Sequence, residues 1–324
     1  DTLRITEDDL FLSFLPLSHS YEHSAGLMFP VAIGAQIYYA EGIETLTTNL
    51  AEARPTLMTA VPRLYEVMRA RILAGVKRQS GFKAKLFWRA VELGRKRYEA
   101  PGSLGLVEII VDRLVEKLVR AKVRDRFGGR LKALVSGGAP LNYEVGIFFT
   151  ALGLRLLQGY GQTEAAPVVS CNPPNRIKLD SVGPAVADVE VKLADDGEII
   201  VRGPLLMDGY WNHPELTAET LRDGWLHTGD IGVIDEDGYI RITDRKKDII
   251  VVSGGDNVSP QRVEGMLTLE PEIEQAMVIG DQRAHLVGLL VPGEEFAKQW
   301  LRDHGEGGGI GALAANKEFN TVLG

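Results

Sequence analysis

Cysteine is almost missing from this chain of 324 residues. Cys171 stands alone, so an internal disulfide is excluded, and the usage fits a reducing cytoplasm with Cys171 as a bystander thiol. No stretch reaches the ~18 uninterrupted apolar residues that a membrane-spanning helix needs. The opening DTLRITEDDL is acidic and shows no signal-peptide pattern, so nothing in it indicates export. Positive charge is not in surplus: 36 Lys and Arg face 44 Asp and Glu, a net charge of -8, which argues against a whole-protein nucleic-acid binder. Histidine is scarce and scattered. His19 and His23 have neither a cysteine nor a further histidine beside them, so a zinc-type ligand set is not indicated. A G-x-S-x-G elbow is also missing, which removes the support for a Ser-His-Asp hydrolase.

What is present is an ordinary core-forming composition, 45% hydrophobic and 25% charged. From Leu10 to Leu64 short apolar runs (LFLSFLPL, AIGAQIYYA, PTLMTAVP) alternate with Gly/Pro turns, which predicts a mostly parallel sheet covered by helices. From about Arg63 to Phe127 the pattern is helical. Val107, Ile110, Val111, Leu114, Val115 and Leu118 recur at helical spacing, and Gly128–Gly129 ends the run. LKALV into SGGAPL and LRLLQ into GYGQTE read as two strand–turn units. Between Ser181 and Thr243 the Asp-Gly turns at Asp195–Gly197 and Asp235–Gly238 punctuate short strands, predicting a small antiparallel sheet or barrel. DRKKD, Asp244–Asp248, is a charged joint. Beyond it Ser259-Pro260 starts a helix, the strands QAMVIG and HLVGLLV follow, and EEFAKQWLRDHG is a further helix. GEGGGIG at Gly305–Gly311 reads as a flexible loop, and the ending NTVLG shows no closing helix. The fold class is therefore α/β, with an αβ region over residues 1–180, a β-rich region over 181–243, the charged joint 244–248 and an α+β unit over 249–324.

Four constellations could carry chemistry. In SGGAPL, Gly137 and Gly138 would let a flat ring approach bare backbone at a strand end, although a Gly-Gly turn before a helix is often only structural. In QGYGQTE, Thr163 can bond a phosphate oxygen and Glu164 is a hard ligand for Mg²⁺; the pair could equally be a helix-start cap. Asp230, in HTGD, offers two acceptor oxygens suited to ribose hydroxyls, and Arg245 a planar set of donors for ribose and phosphate oxygens. The plain alternatives are a turn-forming Asp and a solvated Arg. The Lys- and Arg-rich stretch Lys77–Lys132 suits an anionic lipid surface or the phosphates of CoA, or is merely a set of solvated helix faces.

In this order LPLSHSYE, PTLMTAVPRLYE, LVSGGAPL, QGYGQTE, HTGDIG and ITDRKKDIIVVSGGDNVSPQRVE resemble the adenylate-forming (AMP-binding) acyl-CoA synthetases, and the helical stretch after PRLYE most resembles the long-chain fatty acid–CoA ligases. The resemblance runs from Leu10 to about Leu301. It makes residues 1–180 part of a large domain, 181–243 its β-rich subdomain, 244–248 a hinge and 249–324 a partial C-terminal domain. It implies a two-step reaction on a fatty acid, ATP and CoA, through acyl-AMP, with Mg²⁺. By the same carry-over Gly137, Gly138, Ala139 and Pro140, with Gly159, Tyr160, Gly161 and Gln162, would frame adenine and the acyl-adenylate. Thr163 would touch phosphate, Glu164 hold Mg²⁺, and Asp230 and Arg245 grip the ribose–phosphate. His19 would lie near the acyl carboxylate, Lys247 at the hinge, and Ser253, Gly254 and Gly255 along the pantetheine passage.

The family's phosphate loop and its C-terminal catalytic lysine segment do not occur in these residues. A trimmed piece of a longer polypeptide, with little activity by itself, is the expectation. An acyl-AMP ligase serving a carrier protein and a non-catalytic nucleotide- or lipid-binding piece are the rival readings. A cytoplasmic location, peripheral lipid contact and a homodimer complete the expected setting.

Overall fold

The computed structural model describes residues 3–79, 81–270, 272–304 and 309–323. The chain forms two compact units: Asp1–Thr228 with Gly232–Ile242, and Gly229–Ile231 with Thr243–Gly324.

The first unit opens with β1 (Leu10–Ser13), a π-helical turn over Glu22–Met28, α1 (Phe29–Ile33), β2 (Gln36–Tyr39), α2 (Leu46–Ala53) and β3 (Leu57–Ala60). A helical stretch follows: α3 (Pro62–Lys77), α4 (Phe82–Glu99), α5 (Leu106–Val115), a second π-helical turn over Glu116–Arg120, and α6 (Ala121–Arg126). Then come β4 (Ala133–Ser136), α7 (Tyr143–Ala151), β5 (Leu156–Gly161) and β6 (Val168–Cys171). The strands make one sheet in the order β2-β1-β3-β4-β5-β6. The first five run parallel and β6 is antiparallel to β5. Leu12, Met58, Leu134 and Leu156 are fully buried. Central parallel strands are covered on both faces, which is why these runs read as continuous apolar segments. α4 and α7 pack so closely that a Cβ on Gly94 would meet the Ala151 carbonyl oxygen at 2.3 Å.

From Leu106 to Arg126 the helix docks through a mixed face, two valines with an aspartate and an arginine. Asp112, Val115, Val119 and Arg120 are buried, while Leu106, Val107, Ile110, Leu114 and Leu118 are exposed. The Arg120 guanidinium is fully buried. Its Nε donates to the Ala151 carbonyl and Nη2 to the Ala90 carbonyl, both at 2.8 Å, and Asp112 is ion-paired to it at 2.7 Å.

The second sheet contains β7 (Glu190–Leu193), β8 (Glu198–Arg202), β9 (Leu221–Arg222), β10 (Trp225–Ile234) and β11 (Ile240–Arg245), with α8 (Pro214–Thr220) between β8 and β9. Its order is β11-β10-β8-β7, with β9 paired to β10. Gly197 and Gly238 close the two Asp-Gly turns at φ 82° and 80°, a left-handed conformation that glycine adopts without strain. Inward side chains of these strands join Tyr160, Ala165 and Val169 in one apolar cluster.

The second unit has the short pair β12 (Ile250–Val251) and β13 (Asn257–Val258), then α9 (Pro260–Leu267), β14 (Ile273–Ile279), β15 (Val287–Pro292), α10 (Glu294–His304) and α11 (Lys317–Leu323). Ser259 caps α9, its Oγ accepting from the Arg262 N–H. α11 corrects the expectation that no helix closes the chain. Asn316 Oδ1 accepts from the Phe319 N–H at its start, and Phe319 packs edge-on against Trp300 of α10, so tertiary burial makes a helix of a segment too short to hold one alone. Of the glycine-rich GEGGGIG segment, residues 305–308 lie outside the described residues, and Ile310–Ala315 is a 3₁₀ helix rather than a loop.

Candidate functional site

Parallel strands in register deliver their following turns to one edge of a sheet, and β4 and β5 do so here: Ser136 is the register partner of both Gln158 and Ala60. SGGAPL and YGQTE therefore leave the sheet side by side. Gly138 sits at φ 80° and, with Ala139 and Pro140, is exposed at that edge. A Cβ on Gly137 would come within 3.3 Å of the Tyr21 ring, so the first turn rests on an aromatic floor. At Gly161 a Cβ would lie 1.6 Å from the Pro167 carbonyl oxygen, which makes this glycine obligatory for the turn into β6. Thr163 and Glu164 open a 3₁₀ turn, Thr163–Ala165. The Thr163 hydroxyl lies 3.1 Å from the Ser20 hydroxyl, which brings the LPLSHSYE turn to the same edge. Glu164 is half-buried, and its Oε1 accepts from the Tyr210 hydroxyl at 2.8 Å. Burial first, then this carboxylate, raises the Tyr210 phenol. Three buried polar atoms in these motifs, Ser136 Oγ, Gln158 Oε1 and Gln162 Nε2, have no hydrogen-bond partner. Such atoms are costly unless something polar meets them.

A buried acid braces the edge from behind. Glu22 accepts from Ser13 Oγ at 2.6 Å and Thr59 Oγ1 at 2.7 Å, joining the ends of β1 and β3. Burial pushes its carboxyl above the ordinary glutamate range, and the two hydroxyls pull the other way. Next to it the Tyr21 and Tyr65 hydroxyls both donate to the Val135 carbonyl, at 3.2 and 2.9 Å. His19 is exposed, its Nδ1 accepting from the Tyr21 N–H at 3.2 Å.

In the second unit Asp230 is buried and pairs with Arg245, whose Nε donates to Oδ1 at 2.9 Å. The Lys246 N–H donates to the Gly229 carbonyl at 2.8 Å, so backbone and side chain both tie the joint to HTGD. Lys247 is exposed on the turn that follows β11. Ser253, Gly254 and Gly255 form the exposed turn between β12 and β13, with Gly255 at φ 87° and nothing within 4 Å of where its Cβ would be. The first unit thus assembles Gly137–Pro140, Gly159–Glu164 and His19 at one edge, and the second assembles Asp230 with Arg245. The Tyr160 ring lies in the apolar cluster rather than at that edge.

Among the described residues no group of three or more His, Cys, Asp or Glu could hold a metal by itself. A Mg²⁺ carried in on substrate phosphates needs only one or two protein carboxylates, and Glu164 fits that smaller demand. Burial pushes the Cys171 thiol up to about 11, away from the reactive thiolate form. Sequence reasoning passed over Ser20, Tyr21, Glu22 and Tyr210. Glu22 left a trace, an acid set between two histidines in the polar turn that follows the apolar run of β1. Tyr210 left none, since only folding brings it to Glu164.

Residues 1–211 match the AMP-binding enzyme family, and residues 247–304 match the AMP-binding enzyme C-terminal domain. The chain is 34% identical over 322 residues to the long-chain-fatty-acid–CoA ligase FadD15 of Mycobacterium bovis, covering 97% of this chain and 53% of that protein. It is 33% identical to the peroxisomal long chain acyl-CoA synthetase 6 of Arabidopsis thaliana, covering 99% and 48%. The chain therefore spans about half the length of the curated relatives it matches. In fold it is similar to the o-succinylbenzoate CoA synthetase of Bacillus subtilis, solved with its acyl-adenylate intermediate: TM-score 0.65 at 23% identity, over 92% of this chain and 55% of that one. The motifs in register, the mixed α/β architecture and these matches agree, and the chain belongs to the AMP-binding enzymes, the superfamily of adenylate-forming acyl-CoA synthetases.

Proposed function

We propose that this chain is the central part of a long-chain fatty acid–CoA ligase, which converts a fatty acid, ATP and CoA to acyl-CoA, AMP and pyrophosphate through acyl-AMP. The observation that carries the reading is the convergence at one sheet edge: the turns after β1, β4 and β5 meet there, with Ser20 and Thr163 hydroxyls 3.1 Å apart and Glu164 beside them. Relatives that bear the long-chain name, at 31–34% identity, support the substrate class.

In this reading Gly137–Pro140 and Gly159–Gln162 offer backbone to adenine and acyl-adenylate, and Thr163 donates to a phosphate oxygen. Asp230 accepts from the ribose hydroxyls while Arg245 faces ribose and phosphate. Mg²⁺, held at Glu164, would neutralise charge on the phosphates, and positioning plus charge neutralisation dominates phosphoryl-type chemistry. Lys247 would be the pivot, where a few backbone torsions turn a small domain. Ser253–Gly255 present bare backbone to a narrow pantetheine chain, and His19 lies by the acyl carboxylate. Calorimetry with ATP and with an acyl-AMP analogue, on this chain and on Asp230→Ala, tests the nucleotide reading. Binding lost in the variant is expected; equal binding by both would sink the ribose role.

Because the chain spans about half of its relatives, it should show little ligase turnover alone; palmitate-dependent ATP–pyrophosphate exchange at an intact enzyme's rate would overturn that. Trapping the acyl group on CoA rather than on a carrier protein separates the ligase from its acyl-AMP ligase rival. The exposed stripe Val107, Ile110, Leu114 and Leu118 favours a second site, for an anionic lipid surface. Arg113 and Lys117 lie exposed between those residues, and Lys77–Lys132 holds 16 Lys and Arg against 6 Asp and Glu in a chain of net charge -8. An apolar face set among cations suits the interface of an anionic membrane. A cytoplasmic location goes with that reading, and a homodimer is the competing cover for the stripe.

A further inference from the structure

We infer that Tyr210 is a positioning residue for Glu164, and that the turn bearing it is a brace that sets where this carboxylate can meet a divalent cation. The inference rests on the proposed assignment of Glu164 to Mg²⁺.

The brace can be followed link by link. The Tyr210 hydroxyl donates to Glu164 Oε1 at 2.8 Å, and the Met207 N–H donates to the Glu164 carbonyl at 2.9 Å. The segment 207–210 thus holds Glu164 by side chain and backbone at once. That segment is itself held by α8. The Tyr210 N–H donates to Thr217 Oγ1 at 2.9 Å, and Thr217 Oγ1 donates in turn to the His213 carbonyl, also at 2.9 Å. Gly209 allows the approach: it sits at φ 151°, and a Cβ there would come within 2.7 Å of the Thr217 methyl. An open hollow of about 400 Å³ borders the turn and is lined in part by Gly209, Tyr210, Thr217 and Leu221.

A carboxylate on a 3₁₀ turn at a sheet edge has several accessible rotamers, and a metal needs one. A phenol donating to Oε1 fixes the rotamer and leaves the carboxylate charge in place, because a neutral donor does not compete as a cation would. The arrangement parallels the outer partners that orient metal ligands generally, whose removal typically weakens metal affinity by about 10–100-fold. Tyr210 itself stays off the metal, since a neutral phenol is a poor ligand beside a carboxylate.

The test uses this chain and Mn²⁺ as the spectroscopic stand-in for Mg²⁺. Free Mn²⁺ is titrated by electron paramagnetic resonance with and without ATP, for wild type, Glu164→Gln, Tyr210→Phe and Thr217→Val. Tyr210→Phe is expected to weaken ATP-dependent Mn²⁺ binding by about tenfold. Its metal-free ATP affinity and thermal midpoint should stay those of wild type, a split that general loosening would not produce. Thr217→Val, which frees the turn and keeps the phenol, should weaken Mn²⁺ binding by a smaller factor, and it carries the test if Tyr210→Phe does not fold. Wild-type Mn²⁺ affinity in Tyr210→Phe, or in Thr217→Val where only that variant folds, alongside a loss in Glu164→Gln, overturns the brace and leaves the metal assignment standing. No loss in Glu164→Gln overturns the metal assignment, and the inference falls with it.

Discussion

Glu22 and Arg120, both fully buried in the first unit, are satisfied in opposite ways. Glu22 sits behind the turns of the sheet edge with hydroxyl donors from Ser13 and Thr59, so its charge is solvated by dipoles and not cancelled. Arg120 sits on the buried face of the helix of residues 106–126 and is cancelled, with Asp112 at 2.7 Å, Glu116 at 3.5 Å, and the carbonyls of Ala90 and Ala151 as acceptors. The first arrangement leaves a group whose protonation responds to burial; the second is a fixed clamp. Around Glu22 the strand residues Phe11, Leu12, Leu57 and Met58 are buried, whereas Met28, Phe29 and Val31 of the following helical segment are exposed. Around Arg120 the apolar residues divide, Val115 and Val119 buried beside it and Leu106, Val107, Ile110, Leu114 and Leu118 exposed.

That contrast is sharpest in stability. Arg120→Ala should cost about 3–5 kcal/mol, because it leaves Asp112 with Arg97 as its remaining arginine and takes this buried donor from the Ala90 and Ala151 carbonyls. A denaturant midpoint near wild type would show that the clamp is dispensable. Glu22→Ala should cost less, about 1–3 kcal/mol, the penalty for leaving two buried hydroxyls without an acceptor. Glu22 also predicts a pH dependence of definite sign. Its folded pKa is raised, so the folded state binds the extra proton, and stability falls as pH rises from the ordinary glutamate range through the raised value. Glu22→Gln should flatten that fall while keeping the fold, and an unchanged pH profile would show that Glu22 does not titrate in the window. At the edge itself Gly138→Ala, at φ 80°, should cost about 1 kcal/mol by melting temperature; no shift would mean the turn relaxes freely. Smallest of all, Ile110→Asp with Leu114→Asp should change stability by less than about 0.5 kcal/mol, since both side chains already face water. The same double variant should lose flotation with vesicles of phosphatidylglycerol and phosphatidylcholine. Flotation equal to wild type, or a dimer in light scattering that the variant breaks, would refute the lipid reading.

The residues explain why some of this was legible beforehand and some was not. Strand ends, Asp-Gly turns and the Ser259-Pro260 helix start depend on local torsions, and each has a local signature. The period of Val107, Ile110, Leu114 and Leu118 shows that a helix forms but not which way it faces, because the choice was made by Arg120 reaching Ala151, far along the chain. The helix Lys317–Leu323 was missed because its stability comes from Phe319 meeting Trp300, not from its own seven residues. Gly137, Gly161, Thr163 and Glu164 could be picked out because close backbone approach and turn chemistry restrict residue type. Tyr21, Glu22 and Tyr210 act across strands and loops, where spacing along the chain carries no information.

The π-helical turn over Glu22–Met28 has one more consequence, for how these positions can change. A Cβ on Gly26 would lie 2.2 Å from Glu22 Oε1, so the glycine and the acid occupy one volume between them. Neither can vary freely alone: a side chain at Gly26 evicts the carboxylate, and a short side chain at Glu22 leaves a gap that glycine cannot fill. The pair is a single heritable unit, and Glu22→Ser with Gly26→Ala should lie closer to wild type in stability than the sum of the two single changes.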